Sequence, residues 1–277
     1  MKKNTKRSSV YLAVVFILLY LPILYLFFYS FNKAGTMNQF QGFTFKHYSA
    51  LQKDTRLLII ALDTLRVALL SSLAATVIGT LGAIGIYFSR AKRTQRILIN
   101  LNTILLVSPD VIIGASFLLL FTLIGFRLGF YSVLVSHIAF SIPIVVLMVL
   151  PKLEEMNEHM ITAGRDLGAN QWQVLKEIIL PDIRPGVFAG FFMAFTYSID
   201  DFAVSFFVTG NGFATLAVEI YSRARQGVSL EINALSTLLF LVTIGLVLIY
   251  YFIQKKQRSK KQPLSLDPTN HEKAVRP

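Results

Sequence analysis

Six stretches of this chain are long and apolar enough to cross a lipid bilayer, and that feature limits what it can fold into. A spanning helix needs ~20 mostly apolar residues. Stretches near Val10–Phe31, Asp63–Phe88, Ile97–Gly125, Tyr131–Leu150, Gly186–Val208 and Ile232–Ile253 reach that length. Inside a bilayer the backbone must satisfy its own polar groups, so such segments are helices. Composition agrees: 54% of the 277 residues are hydrophobic and 15% are charged, whereas soluble domains carry ~25% charged residues. The expectation is an all-α polytopic membrane protein of six spans. A cytosolic enzyme, a nucleic-acid binder and a disordered scaffold are excluded together. The first stretch follows a basic segment, Lys2–Arg7, as a signal peptide would. Its apolar run exceeds the usual ~7–15 residues and no A-x-A-like site follows, so it reads as an uncleaved span.

The net charge of +12 becomes informative once it is located. Lys2, Lys3, Lys6 and Arg7 precede span 1, and Arg90, Lys92, Arg93 and Arg96 follow span 2. Lys152, Arg165, Lys176 and Arg184 follow span 4, and seven more lie from Lys255 onward. The opposite side holds Lys33, Lys46, Lys53, Arg56, Arg127, Arg223 and Arg225. Retained loops carry the excess of Lys and Arg, so both termini are expected in the cytoplasm of a cell with this multi-pass protein in its plasma membrane. The expected organisation is a cytoplasmic N-terminus at 1–9, a six-span domain over 10–253 and a basic cytoplasmic tail at 254–277. With no cysteine, there is no disulfide, thiolate metal site or Cys nucleophile. Pro22, Pro109 and Pro143 interrupt spans and can kink them, and Gly79, Gly82 and Gly85 suit close helix approach.

The most specific signal is the polar loop 151–185. Met156, Met160, Ala163 and Leu167 recur at helical spacing and make an amphipathic helix of about three turns. Gly168 stands where a helix C-terminal glycine belongs. Asn170 opens a second helix with Gln173 as its capping-box partner. Trp172, Leu175 and Ile178 form the apolar face of this helix, and Pro181 and Pro185 are expected to stop it. Helix, glycine turn, helix suits a docking element.

At these residues the chain resembles the binding-protein-dependent ABC importer permeases. Their cytoplasmic loop reads E-A-A, three residues, Gly, nine residues, Ile-x-Leu-Pro. Thr162-Ala163-Gly164, then Gly168, then Ile178-Ile179-Leu180-Pro181 keep that spacing, and Arg165-Asp166-Leu167-Gly168-Ala169 is similar to the usual wording. Thr162 stands in place of the family Glu, and Gly164 in place of its second Ala. Ser198-Ile199-Asp200-Asp201-Phe202, Ser205-Phe206-Phe207-Val208-Thr209-Gly210, Gly227-Val228-Ser229 and Glu231-Ile232-Asn233-Ala234-Leu235 resemble spermidine/putrescine importer permeases of the C-subunit type. The resemblance implies a type I ABC importer permease, not itself an enzyme. It would work in a heterodimer with a second permease subunit, beside membrane lipid, with a dimer of cytoplasmic ATPases and an extracytoplasmic polyamine-binding protein. It also implies that Met160, Ala163, Gly164, Asp166, Leu167, Gly168, Ala169, Leu180 and Pro181 couple to the ATPase. The chain has no G-x-x-x-x-G-K-[ST] loop, so it binds no nucleotide in that manner and no cofactor of its own is expected. ATP would act through the partner, with helix-in-groove docking.

Charges within spans cost ~2.5–3.5 kcal/mol each on insertion scales and are functional candidates by default. They are Asp63, Arg66, Asp110, Asp200 and Asp201. Asp63 and Arg66 are placed to pair across one turn. His137 lies among Ser136 and Ser141 and reads as a hydrogen-bonded packing residue. The other three acids have no cationic partner nearby in sequence. On a continuous helix Asp200 and Asp201 point ~100° apart, and Asp201 shares a face with Ser198 and Tyr197. Carboxylates beside aromatic rings suit a polycation. Either Asp110, Tyr197, Ser198, Asp200 and Asp201 line a substrate path or the acids are solvated at the outer boundary, and the resemblance favours the path. The rivals are a permease for another solute, such as ferric ion or a small organic anion, and a proton-coupled secondary transporter. The latter would need internal repeats that are not evident.

Overall fold

The computed structural model describes residues 2–34, 37–226, 230–238, 240–241 and 244–245. The described residues are helical throughout, apart from connecting turns and one isolated β-bridge between Asn32 and Phe43. The chain forms two compact units, 1–53 with 228–277, and 54–227.

In the first unit α1 (Lys2–Tyr29) contains an apolar stretch, Ser9–Tyr29, of 21 residues. It continues through Pro22. After Tyr29 the chain doubles back around buried Asn32. The Asn32 side-chain amide donates to Gln39 O at 2.7 Å, and its carbonyl accepts from the amides of Ala34 and Gln41. Phe28 stacks on Phe40, and the Phe31 and Tyr48 rings meet tilted at 5.2 Å, around this turn, which leads to α2 (Lys46–Lys53). Residues 230–238 are helical. Half of the sixth expected span, and the whole basic tail from Lys255, lie outside the described residues.

The second unit begins with α3 (Thr55–Tyr87), 33 residues and so ~50 Å long at 1.5 Å per residue. It exceeds the ~30 Å hydrocarbon layer. α4 (Lys92–Val107) and α5 (Asp110–Leu123) follow, then α6 (Phe130–Glu154), α7 (Glu158–Asp166) and a short α8 (Gln171–Gln173). A π-helical turn, Val174–Ile179, passes into α9 (Leu180–Asp200), then α10 (Ala203–Val208) and α11 (Leu216–Gln226). The core is α3, α6 and α9 packed on one another. Ala68, Ser71, Ser72, Ala75, Gly79 and Ala83 make one buried stripe of small residues on α3. It receives Val145, Val146 and Val149 of α6. Of the three glycines expected at close approaches, Gly79 is at one: a Cβ there would lie 2.7 Å from Val145 Cβ. Gly85 has nothing within 4 Å of that position.

Three expectations about continuity need correction. The third span is broken: α4 and α5 meet at 103° across Ser108–Pro109. A residue before proline is driven from the α region, and Ser108 is extended at ψ 135°. The fifth stretch is interrupted too, because α9 ends at Asp200 and Asp201 is extended at ψ 118°. Pro181 and Pro185, expected to stop a helix, lie within one. The π-helical turn shifts the hydrogen-bond register just before them, with Leu180 N–H bonded to Leu175 O. Pro181 therefore falls in the first turn of α9, where a missing N–H is tolerated.

Candidate functional site

The two breaks come together inside the second unit. Asp110 opens α5, and its carboxylate accepts a 2.7 Å hydrogen bond from the Tyr197 hydroxyl on α9. Beside them α5 and α10 pack backbone to backbone. A Cβ on Gly114 would lie 3.0 Å from Val204 Cα and 2.8 Å from the Phe207 ring, so only glycine fits. Tyr197 is 39% exposed and its ring meets Phe140 edge to face at 5.2 Å. Asp200 is exposed and Asp110 half-buried, and neither pairs with Lys, Arg or His among the described residues.

Asp201 is different, and the face it was expected to share with Tyr197 and Ser198 does not exist, because the helix has already ended. Asp201 is 8% exposed and accepts from Val204 N–H at 3.1 Å and Ser205 N–H at 2.7 Å. It caps α10. It also has the ionisable partner that sequence proximity did not reveal, His137 Nε2 at 3.4 Å. Ser198 is buried and shares a 2.7 Å hydrogen bond with His137 Nδ1. His137 is thus hydrogen-bonded among packed helices, as its sequence context suggested. Asp63 and Arg66 also pair as expected, at 2.8 Å.

At the other end of α6 the loop forms the helix, glycine turn and helix read from sequence. Gly168 adopts φ +86°. Its N–H bonds Arg165 O, and Ala169 N–H bonds Gly164 O. These two bonds are the Schellman closure of a helix end. Asn170 and Gln173 form a reciprocal capping box, with bonds of 2.9 and 2.8 Å. Leu180 and Pro181 begin α9, Leu180 packed on the core and Pro181 half-buried.

One member of the expected stripe departs from it: Met156 lies before α7 and is buried. α7 is anchored by buried Ile161 and by Gly164, which sits against Ile178. Met160, Ala163 and Leu167 point away from the fold, Leu167 with 89% exposure. Thr162 and Asp166 are exposed, and Ala169 is half-buried on the core. Val174 and Ile179, rather than Trp172, bury the second helix. Period identifies a stripe but not which way it faces, and Ile161 was missed for that reason. The Tyr87 hydroxyl donates to Glu158 at 3.0 Å, so the end of α3 and the start of α7 lie at the same end of the unit.

At the opposite end Asp54 caps α3, accepting from Leu57 N–H at 3.0 Å. Asp54, Arg223, Glu219 and Arg56 then form a chain of ion pairs at 2.9, 2.8 and 3.3 Å. The Leu57 amide first, and then the Arg223 guanidinium, hold the Asp54 carboxyl below the usual carboxylate range despite its partial burial.

Long apolar helices, two broken spans and a helix, glycine turn and helix after α6 make this a polytopic membrane protein. The chain belongs to the binding-protein-dependent transport system inner membrane components, whose family pattern matches residues 75–261. It is 39% identical over 245 residues to the spermidine/putrescine transport system permease protein PotC of Escherichia coli K12, covering 88% of this chain and 92% of that one. It is 32% identical over 259 residues to the putrescine transport system permease protein PotI of the same strain, covering 91% and 92%. The fold matches a chain of a bacterial alginate ABC transporter in complex with its alginate-bound periplasmic protein, with a TM-score of 0.72 at 17% identity over 95% and 97% of the two chains. A methionine ABC transporter matches with a TM-score of 0.58 at 20% identity, over 74% and 96%.

Proposed function

We propose that this chain is a permease subunit of an ATP-driven importer that moves polyamines, spermidine or putrescine, into the cytoplasm. The observation that carries the polyamine reading is the meeting of two broken spans at Asp110 and Tyr197. Asp110 and Asp200 lack cationic partners among the described residues, and Tyr197 and Phe140 supply aromatic rings. An ammonium group that sheds water finds there both charge-assisted hydrogen bonds and π faces. An anionic solute would be repelled. The names of the relatives PotC and PotI support the same cargo.

The coupling partner is a separate ATPase, whose groove receives α7. The exposed Met160, Ala163 and Leu167 form the apolar docking face, and the Gly168 turn and the Asn170 cap hold the helix at its angle. In this reading Asp110, Tyr197, Ser198 and Asp200 belong to the path or its wall, and Asp201 contributes by shaping the break. A second permease subunit completes the path, and a binding protein delivers polyamine at the outer face. Substrate and ATP then bias two conformations of the pair.

The test is reconstitution in proteoliposomes with the second permease, the ATPase and the binding protein. ATP-dependent accumulation of labelled spermidine or putrescine, competed by unlabelled polyamine and not by amino acids or ferric ion, is the expected result. Uptake driven by a proton gradient without ATP would overturn the reading.

A further inference from the structure

The buried histidine of α6 plays no part in the transport reading above, yet it is the hub of a polar cluster within the spans. His137 is fully buried. Its Nδ1 lies 2.7 Å from Ser198 Oγ, and its Nε2 lies 3.0 Å from Ser205 Oγ and 3.4 Å from Asp201 Oδ2. Ser198 Oγ is in turn 3.1 Å from Ser71 Oγ on α3. Side chains from α3, α6, α9, the α9–α10 break and α10 therefore converge on one imidazole and its partners. Packing alone does not call for this, since well-fitted apolar groups stabilise a buried site at least as well as buried ionisable ones.

The cluster fixes the break that carries Tyr197. Asp201 caps α10 through two backbone amides, and His137 ties that capped turn to α6. Ser198 adjoins Tyr197 in the chain, so a hydrogen bond on Ser198 sets the azimuth of the last turn of α9. A second route runs through Phe140, whose ring is 4.9 Å from the imidazole and 5.2 Å from the Tyr197 ring. Both routes end at the phenol that holds Asp110 at 2.7 Å.

We propose that His137 is a positioning residue for cargo passage: through Ser198 and Asp201 on one side and Phe140 on the other, it sets the Tyr197 hydroxyl on Asp110 without itself meeting the polyamine. The inference rests on the reading of Asp110 and Tyr197 as part of the substrate path. A contact residue whose own support is lost is present but misplaced, so removing the support and removing the phenol should do the same damage once.

That identity is what the experiment reads. His137→Phe keeps a ring against Phe140 and removes the polar contacts. His137→Gln keeps an amide nitrogen toward Asp201 and serves where the Phe variant does not reach the membrane. Each is combined with Tyr197→Phe in the full four-component transporter, and ATP-dependent polyamine uptake is measured at matched membrane abundance. Residues acting through one another give non-additive losses. Tyr197→Phe and the His137 variant should each lower uptake roughly tenfold, and the double variant should stay within about two-fold of the weaker single. Losses that multiply, toward roughly a hundredfold, would make His137 an independent structural element and overturn the proposal. A silent His137 variant, or a silent Tyr197→Phe beside a defective Asp110→Asn, would overturn it as well. Wild-type uptake in both Asp110→Asn and Tyr197→Phe would instead remove the path reading on which it rests.

Discussion

Asp110 accepts one side-chain hydrogen bond, from a half-exposed phenol, whereas Asp201 accepts two backbone amides and faces a buried imidazole. The same side chain is therefore asked for different things, and substitution should separate them. Asp110→Asn is nearly isosteric and leaves no buried partner stranded, so membrane abundance should hold. Uptake should fall by roughly ten- to a hundredfold, the loss of a charge-assisted hydrogen bond of ~1.5–3 kcal/mol. Asp201→Ala removes a helix cap, at ~1 kcal/mol, and strands a buried imidazole, so it should lower abundance and melting temperature before transport is measured. An Asp201→Ala protein with parental thermal stability would refute the capping role, and Asp110→Asn uptake within two-fold of the parent would refute the path. Sequence makes the three acids equally visible as intramembrane charges. It does not distinguish them, because the partner of Asp201 lies on another helix and the break at Asp201 is a tertiary outcome.

Helix ends are the elements that sequence describes best, because caps and glycine turns are local chemistry. Gly168 with its positive φ, and Asn170 with Gln173, form as spacing alone suggests. Gly168→Val must hold a β-branched residue in the left-handed region, at a cost of order 1–3 kcal/mol. Leu167→Asp places a charge on the exposed apolar face of α7. Both should reduce polyamine-stimulated ATPase activity while leaving capture by the binding protein unchanged, and unaltered stimulation in both would remove α7 as the docking element. The cap on α3 offers a pH test. The Asp54 carboxyl is held below its ordinary range, so its contribution to stability is full above that range and is lost as pH falls from there through the lowered native value. Asp54→Ala should therefore lower the melting temperature at neutral pH, with the gap to the parent narrowing as acid approaches the carboxylate range. An equal gap at every pH would show that the charge adds nothing. What local chemistry could not supply is direction: Met160 and Ile161 are both apolar, and only packing on Gly164 and Ile178 shows which one faces inward.

For the whole molecule, the sharp bend between α4 and α5 raises a question of parity. Bent by 103°, the pair is either one broken span or a loop that returns to the side it left. A returning loop would leave only α6 between the basic segment Arg90–Arg96 and the basic segment after α6, and so put them on opposite sides of the membrane. The Tyr87–Glu158 hydrogen bond argues otherwise, because it joins the chain just before the first of these segments to the chain just after α6. Two crossings, one by the broken α4–α5 pair and one by α6, return the chain to the same side, which is also where positive-inside asymmetry puts both basic segments. The chain has no cysteine, so single cysteines can be introduced without background labelling. In intact cells a membrane-impermeant maleimide should label Arg127→Cys and Asn211→Cys, and Gly42→Cys before span 2 should behave alike. Lys92→Cys and Gln171→Cys should be labelled only after the membrane is opened. Labelling of Lys92→Cys and Arg127→Cys from the same side would show that α4–α5 turns back within the bilayer. It would also remove the positive-inside argument for placing the α7 docking face, and the ATPase it is proposed to receive, in the cytoplasm.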